Sequence, residues 1–353
     1  MTTLFINIKQ LVGVRNENIL LRGNALADLP FVEDAFLLVE DGAIAAYGKM
    51  YELDVVVPHL PKNIMDVAGS FVLPTWCDSH THLVFAKSRE DEFIDKLMGK
   101  TYAEIAANGG GILNSAKVLA NTNEDELFRL AMVRLKEAAA LGTGAIEIKS
   151  GYGLTPAAEL KMLRVIKRLK QQSAISIKAT FLGAHAFPLA FKENHRGYIN
   201  QIINEMLPVI AAEGLADYID VFCETGFFSV EDTTLICKAG AAYGLKPKLH
   251  VNQLNSIGGI QAGIKANAVS LDHLETMTAQ DITDLASSNT IATLLPSAAF
   301  FLRMQYQPAR ALIDAGAAIA LASDFNPGSS PSFNMNFLVA LSCIQMKLLP
   351  QEA

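Results

Sequence analysis

Cysteine is scarce in this chain. Cys77, Cys223, Cys237 and Cys343 are scattered, and no CxxC pair occurs. That excludes a thiolate zinc ribbon and a disulfide framework, and it fits reduced thiols in a cytoplasmic protein. Long apolar runs are missing too. No stretch of about 18 uninterrupted apolar residues is present, so no membrane span is expected. The start, "MTTLFINIKQLVGV", lacks a cationic segment followed by an apolar block, so no secretory signal is read there. Basic residues are outnumbered, with 29 Lys and Arg against 36 Asp and Glu and a net charge of −7. Nucleic acid is a poor partner for such a surface, because phosphate binding wants surplus cations. A small anionic ligand is not excluded, since one local arginine can outweigh the global balance. No tandem repeat or low-complexity tract stands out.

What the chain has in abundance is apolar residues, 51% of 353. Long parallel strands covered on both faces read this way. The first ~65 residues differ from the rest. "LFINIKQLVGV", "NILLRGNALA" and "AFLLVEDGAIAAYG" are short alternating strands with turn signals such as Glu40-Asp41-Gly42. Residues 1–67 are expected to form a small antiparallel β domain, and 68–353 a second domain. From Phe71 on, apolar strands alternate with helical stretches. The strands are "FVLPTWCDSHTH", "GAIEIKSGYG", "ISIKATFLGAH", "YIDVFCETG", "LKPKLHVNQ", "AVSLDHLE", "TIATLLPS" and "AAIALASDFNPG". Eight βα units predict an α/β fold, a (β/α)8 TIM-type barrel with its site at the C-terminal strand ends. "TPAAELKMLRVIKRLKQQ" has the apolar spacing of an amphipathic helix, with Thr155 as N-cap and Pro156 in the first turn. "NGGGI", Asn108 to Ile112, lacks the spacing of a nucleotide loop and reads as a lid or substrate loop.

The histidines carry the functional signal. All but His59 and His195 fall at or just past a predicted strand end: His80, His82, His185, His250 and His273. A single strand-end histidine is usually an ordinary polar residue. Several converging on one barrel mouth are not. His80 and His82 are two apart on a strand and share a face. With His250 and Asp324 they make a set of imidazoles and one carboxylate, which suits zinc or iron with a position open for water.

At these residues the chain resembles the metal-dependent amidohydrolase superfamily. "DSHTHLVFAKSRE", "EIKSGYGL", "FLGAHAFP", "LHVNQL", "SLDHLE" and "SDFNPGSSP" carry the resemblance from Asp78 to Pro331. The nearer likeness is to the branch that opens the ring of 4-imidazolone-5-propanoate. That resemblance implies one divalent metal, zinc or iron, on His80, His82, His250 and Asp324. It implies catalytic roles for His273 and Asp324. It implies a substrate site of Arg89, Tyr152, His185, Gln253, Asn326, Gly328 and Ser329, with Arg89 gripping the propanoate carboxylate in a two-pronged geometry. Glu224 reads as a supporting carboxylate. A homodimer is a family-based expectation.

Two departures bear on this reading. Deaminase relatives carry HxxE on strand five, whereas this chain has His250-Val-Asn-Gln253, and an amide does not exchange protons at neutral pH. The chain also stops at Ala353, soon after the eighth strand. It therefore reads as truncated, with "LLPQEA" as the start of a further helix and the β domain lacking the C-terminal segment that makes it sandwich-like. The rival readings are a dihydroorotase- or hydantoinase-like hydrolase, a deaminase, and a barrel that only binds. The first usually bridges two metals with a lysine from strand four. Here that strand ends "VFCETG", leaving Lys149 on strand two as a weak substitute.

Overall fold

A computed structural model describes residues 1–100 and 110–353. The chain divides into two compact units, chiefly residues 1–21 with 25–75, and residues 22–24 with 76–351.

The first unit is one five-stranded sheet of β1 (Thr2–Val12), β2 (Phe31–Glu40), β3 (Ala43–Lys49), β4 (Asn63–Asp66) and β5 (Phe71–Val72), ordered β3-β2-β1-β4 with β5 also on β1. β2 and β3 form a hairpin in which Glu40 faces Ala43 across Asp41-Gly42. Both turn residues have positive φ, 48° and 82°, which matches the right-handed twist of the strands. Alternation along β2 sends Phe36 and Leu38 to one apolar cluster, and Ala35 and Leu37 to another. The expected all-antiparallel pairing holds for β1, β2 and β3 alone. β4 and β5 run parallel to β1. The strand expected from Phe71 onward is also split. Pro74 has no N–H to donate, so pairing stops after Val72 and resumes at Trp76.

The second unit is the barrel. Its strands are β6 (Trp76–Thr81), β7 (Thr143–Lys149), β8 (Ser176–Ala184), β9 (Tyr218–Cys223), β10 (Lys246–Val251), β11 (Ser270–His273), β12 (Ile291–Leu294) and β13 (Ile319–Leu321). They form an eight-stranded parallel sheet in strict chain order. Its two ends meet at a seam rather than a full ladder. Thr81 bridges Phe325, the His82 N–H donates to the Phe325 carbonyl at 2.8 Å, and buried Asp78 accepts from the Ser323 N–H at 2.9 Å and its hydroxyl at 2.5 Å.

Helices cover the outside. Pro156–Gln172 starts as expected, with the Thr155 hydroxyl accepting from the Ala158 N–H at 3.3 Å. It buries Leu160, Leu163, Ile166 and Leu169. At roughly 1.5–3 kcal/mol for each such side chain, that stripe outweighs the helix's intrinsic propensity. From Leu348, where the start of a further helix is expected, the chain makes a single turn in which the Ala353 N–H donates to the Leu349 carbonyl at 3.1 Å. Met335–Met346 is the last helix, Lys347 ends it in the left-handed region at φ 61°, and the tail after Pro350 is a turn. Of the "NGGGI" loop, Asn108 and Gly109 lie outside the described residues, while Gly111 and Ile112 begin a helix, Gly111–Asn121.

Candidate active site

The strand ends bring the separated residues to one place. His80 and His82 leave β6, His250 sits on β10, His273 ends β11, and Asp324 follows β13. All are at most 3% exposed. One donor atom each from His80, His82 and His250 lies within 4.8 Å of the others, and the same holds for His80, His273 and Asp324. The Asp324 carboxylate is 3.6 Å from Nε2 of both His80 and His82. Backbone strain gathers here. His273 and Asp324 have φ of 86° and 52°, positions side chains rarely adopt, and such strain is common where a site dictates geometry.

The chemistry of these donors fits a cation. His80 Nδ1 donates to Asp272 at 2.7 Å, and His250 Nδ1 donates to Asp220 at 2.8 Å. Burial holds His80, His82 and His250 well below the usual imidazole pKa, so they are neutral. With Nδ1 protonated, each Nε2 of His80 and His250 presents a bare lone pair, and the two face each other at 3.2 Å. Two lone pairs at that distance repel unless a cation shares them. Buried His82 Nδ1 also lacks a hydrogen-bond partner among the described residues.

A charged layer lies beneath. Lys149 Nζ donates to Glu147 and Asp220, both at 2.9 Å, and stands 3.7 Å from Asp272. Lys248 donates to Ser270 at 2.6 Å and lies 3.6 Å from Asp272. Burial opposes the Lys149 charge, but the surrounding carboxylates prevail and raise its pKa. Lys149 is therefore a counterion of the two aspartates that orient His80 and His250, not a bridging ligand. Sequence reasoning missed Asp220, Asp272 and Glu147. Their signal was there: a charged residue inside an apolar strand, paired at alternate positions in "AIEIKS" and single in "YIDVFC", marks the barrel interior.

Above the histidines opens a cavity of about 370 Å³. Every expected substrate residue lines it: Arg89, Tyr152, His185, Gln253, Asn326, Gly328 and Ser329. His185 stacks on His82 with ring centroids 5.2 Å apart. Its Nδ1 donates to the Gly151 carbonyl at 3.0 Å, and burial lowers its pKa to about 4. Neutral His185 thus turns an accepting Nε2 elsewhere. Asn326 folds its own loop. Its Oδ1 accepts from the Gly328 and Ser329 N–H groups at 2.9 and 2.7 Å. Among the described residues Arg89 pairs not with Glu90 or Asp91 but with Glu92, at 3.8 Å. Glu224 works away from the histidines, accepting from the Leu254 and Asn255 N–H groups at 2.8 and 3.1 Å and so fixing the segment after Gln253. Glu275, also unforeseen, is 3.4 Å from His273 Nδ1. Burial works against protonation of His273, yet Glu275, Asp324 and Asp272 raise its pKa. Burial lifts the Asp324 carboxyl to about 7, against the pull of His273.

Comparison with known proteins decides the family. The chain is 56% identical over 354 positions to an imidazolonepropionase of Flavobacterium johnsoniae, with all of this chain and 85% of that protein aligned. The chain belongs to the imidazolonepropionase family. An imidazolonepropionase of Geobacillus is 40% identical, over 100% of this chain and 84% of its own length. No protein-family model matches. Among solved structures, a guanine deaminase from C. acetobutylicum superposes with a TM-score of 0.68 at 16% identity, over 98% of this chain and 80% of its own. A zinc-bound adenosine deaminase from Xanthomonas campestris gives 0.68 at 13%, over 98% and 74%. At such identity these two share the barrel fold with the imidazolonepropionase family, and nothing finer is taken from them.

Proposed function

We propose that the site opens 4-imidazolone-5-propanoate by hydrolysis to N-formimidoyl-L-glutamate, a step of histidine degradation, using one divalent metal ion, zinc or iron. The facing lone pairs of His80 and His250, with His82 and Asp324 beside them, carry the metal part of this reading. Imidazole and carboxylate donors suit both metals. When bound, the ion supplies Lewis acidity and lowers the pKa of a water toward neutrality.

The residues do the rest. Arg89 pairs with the propanoate carboxylate and fixes the ring's direction. Tyr152 and neutral His185 pack the ring face, and the bare His185 Nε2 accepts a ring N–H. Gln253 and the Asn326–Ser329 loop supply the remaining polar contacts. Water oxygen bonds to the ring carbonyl carbon as the ring C–N bond breaks. Asp324 takes the water proton. His273, whose pKa Glu275, Asp324 and Asp272 raise against burial, donates to the departing ring nitrogen. Gln253 in place of a glutamate disfavours deamination, because an amide cannot shuttle the proton. The neutral to acidic surface and the reduced thiols suit a cytoplasmic enzyme acting on a small anion, and a homodimer remains part of the proposal. No helix among the described residues is long and apolar enough to cross a membrane.

The test is direct. Metal-loaded protein is mixed with 4-imidazolone-5-propanoate, and loss of ring absorbance is followed together with release of formimidoylglutamate. Metal analysis runs in parallel. No turnover, or two metal equivalents per chain, defeats the reading.

A further inference from the structure

The cavity holds a second cation that the family resemblance did not assign. Lys96 lies on the helix Glu90–Leu97, Arg89 is the residue that precedes it, and both line the cavity. Both reach the same backbone. A Cβ on Gly328 would sit 1.7 Å from Arg89 Nη2, so the guanidinium lies directly on this glycine. Lys96 Nζ donates to the Gly328 carbonyl at 2.9 Å. Among the described residues one acid stands near, Glu92, and it already accepts the Gly111 N–H at 2.8 Å. Two cations against one described carboxylate leave a surplus of one positive charge among these groups. Donors are left over as well. Buried Arg89 Nε has no hydrogen-bond partner among the described residues. Lys96 has three N–H donors to place. Burial and the neighbouring Arg89 both work against the Lys96 charge. A pair of repelling cations with spare donors in a half-buried pocket is relieved by an anion between them.

We propose that Lys96 is the second arm of the carboxylate clamp, setting selectivity for an imidazolone that carries a carboxylate over the same ring without one. The inference rests on the ring-opening function proposed above. It assigns Arg89 the planar two-pronged contact and Lys96 the point charge that completes it. Ring opening converts the carbonyl carbon into a second carboxylate, so the clamp also keeps the propanoate end apart from the charge newly formed at the histidines.

The experiment compares two substrates, 4-imidazolone-5-propanoate and its neutral propanamide, on metal-loaded wild type, Lys96→Met, Lys96→Arg and Arg89→Ala. Lys96→Met keeps the apolar stem and removes the charge. We expect kcat/KM for the propanoate to fall roughly 10- to 100-fold, the range of a lost charge-assisted hydrogen bond, and mainly through KM. The amide loses at most about 3-fold, and Lys96→Arg regains most of the loss. Arg89→Ala shows the same preference, more strongly. An equal loss on both substrates makes Lys96 a structural prop and overturns the proposal, as does an unchanged KM for the propanoate. Wild-type protein that opens neither ring overturns the ring-opening reading, and this inference with it.

Discussion

At the scale of single residues, the site depends on protonation states that burial enforces. Asp324 is the clearest case. Its folded carboxyl titrates near 7 against 3.8 for the free group, so the metal-free native state holds a proton that the unfolded state releases. The stability attached to that proton is complete at low pH and drains away as pH rises toward 7. Asp324→Asn is therefore expected to abolish turnover while raising the melting temperature of the metal-free protein at pH 8 and not at pH 4. Thermal melts at the two pH values check this, and retained wild-type turnover removes Asp324 from the mechanism. Lys149 offers a second test. Lys149→Met leaves Asp220 and Asp272 without their shared cation, which loosens both histidine partners. Metal affinity should drop roughly 10- to 100-fold, as for other residues that orient a ligand. Competition against a chelator measures it, and an unchanged affinity means the aspartates hold their geometry alone. The histidine cluster itself was legible, because histidines at strand ends stand out in an apolar chain. Lys149 and Lys96 were not, because a lysine's partners are set by which strands and loops become neighbours.

At the scale of elements, loops are clamped by carboxylates. Glu159, buried in the helix Pro156–Gln172, accepts the Gly151, Gly153 and Leu154 N–H groups at 3.0, 2.6 and 2.9 Å. The loop so held carries Tyr152 into the cavity. Both carboxylate oxygens are used, and glutamine would turn an N–H donor toward one of these amides. Glu159→Gln should raise KM several-fold with metal content unchanged, at a stability loss of about 1–3 kcal/mol. A fall in melting temperature without a KM change would reduce Glu159 to a structural clamp. Gly153→Ala is expected to be worse. The new Cβ would meet the Glu159 backbone nitrogen at 2.3 Å, and backbone cannot rotate away. Overpacking of about 1–3 kcal/mol then exceeds the ~0.4–1 kcal/mol that alanine normally brings by stiffening the unfolded chain. Thermal melting decides, and a rise in stability would contradict the packing. Helix and strand identities were mostly readable from spacing and caps, as with Thr155 and Pro156, but "NILLRGNALA", expected as a strand, holds the 3-10 helix Gly23–Ala27 instead. Element ends were less readable, and Pro74 cut one expected strand in two.

At the scale of the whole barrel, eight repeated βα units made the architecture readable. Closure was hidden, because it rests on one bridge and on Asp78 with Ser323. A metal on His80, His82, His250 and Asp324, as proposed above, would tie that weak join. Stripping the metal with a chelator should therefore lower the melting temperature. Binding at 100 to 1,000 times Kd adds about 2.7–4.1 kcal/mol to the native state. For a chain this large that is a shift on the order of 4–6 °C, read by calorimetry with and without added zinc or iron. No shift would mean the barrel closes without help from the ion.

The seam also sets an order of events. Asp78 and Ser323 are 245 residues apart in the chain. Contacts of such separation form late, since the loop between them must be closed first. A growing or partly folded chain offers His80 and His82 alone, and such a pair has little hold on an ion. If the proposed ligand set holds the ion, full metal affinity is expected only once the two ends of the sheet meet, and finished barrels should take up the ion in preference to unfinished ones. Metal uptake during refolding then serves as a clock for the final step.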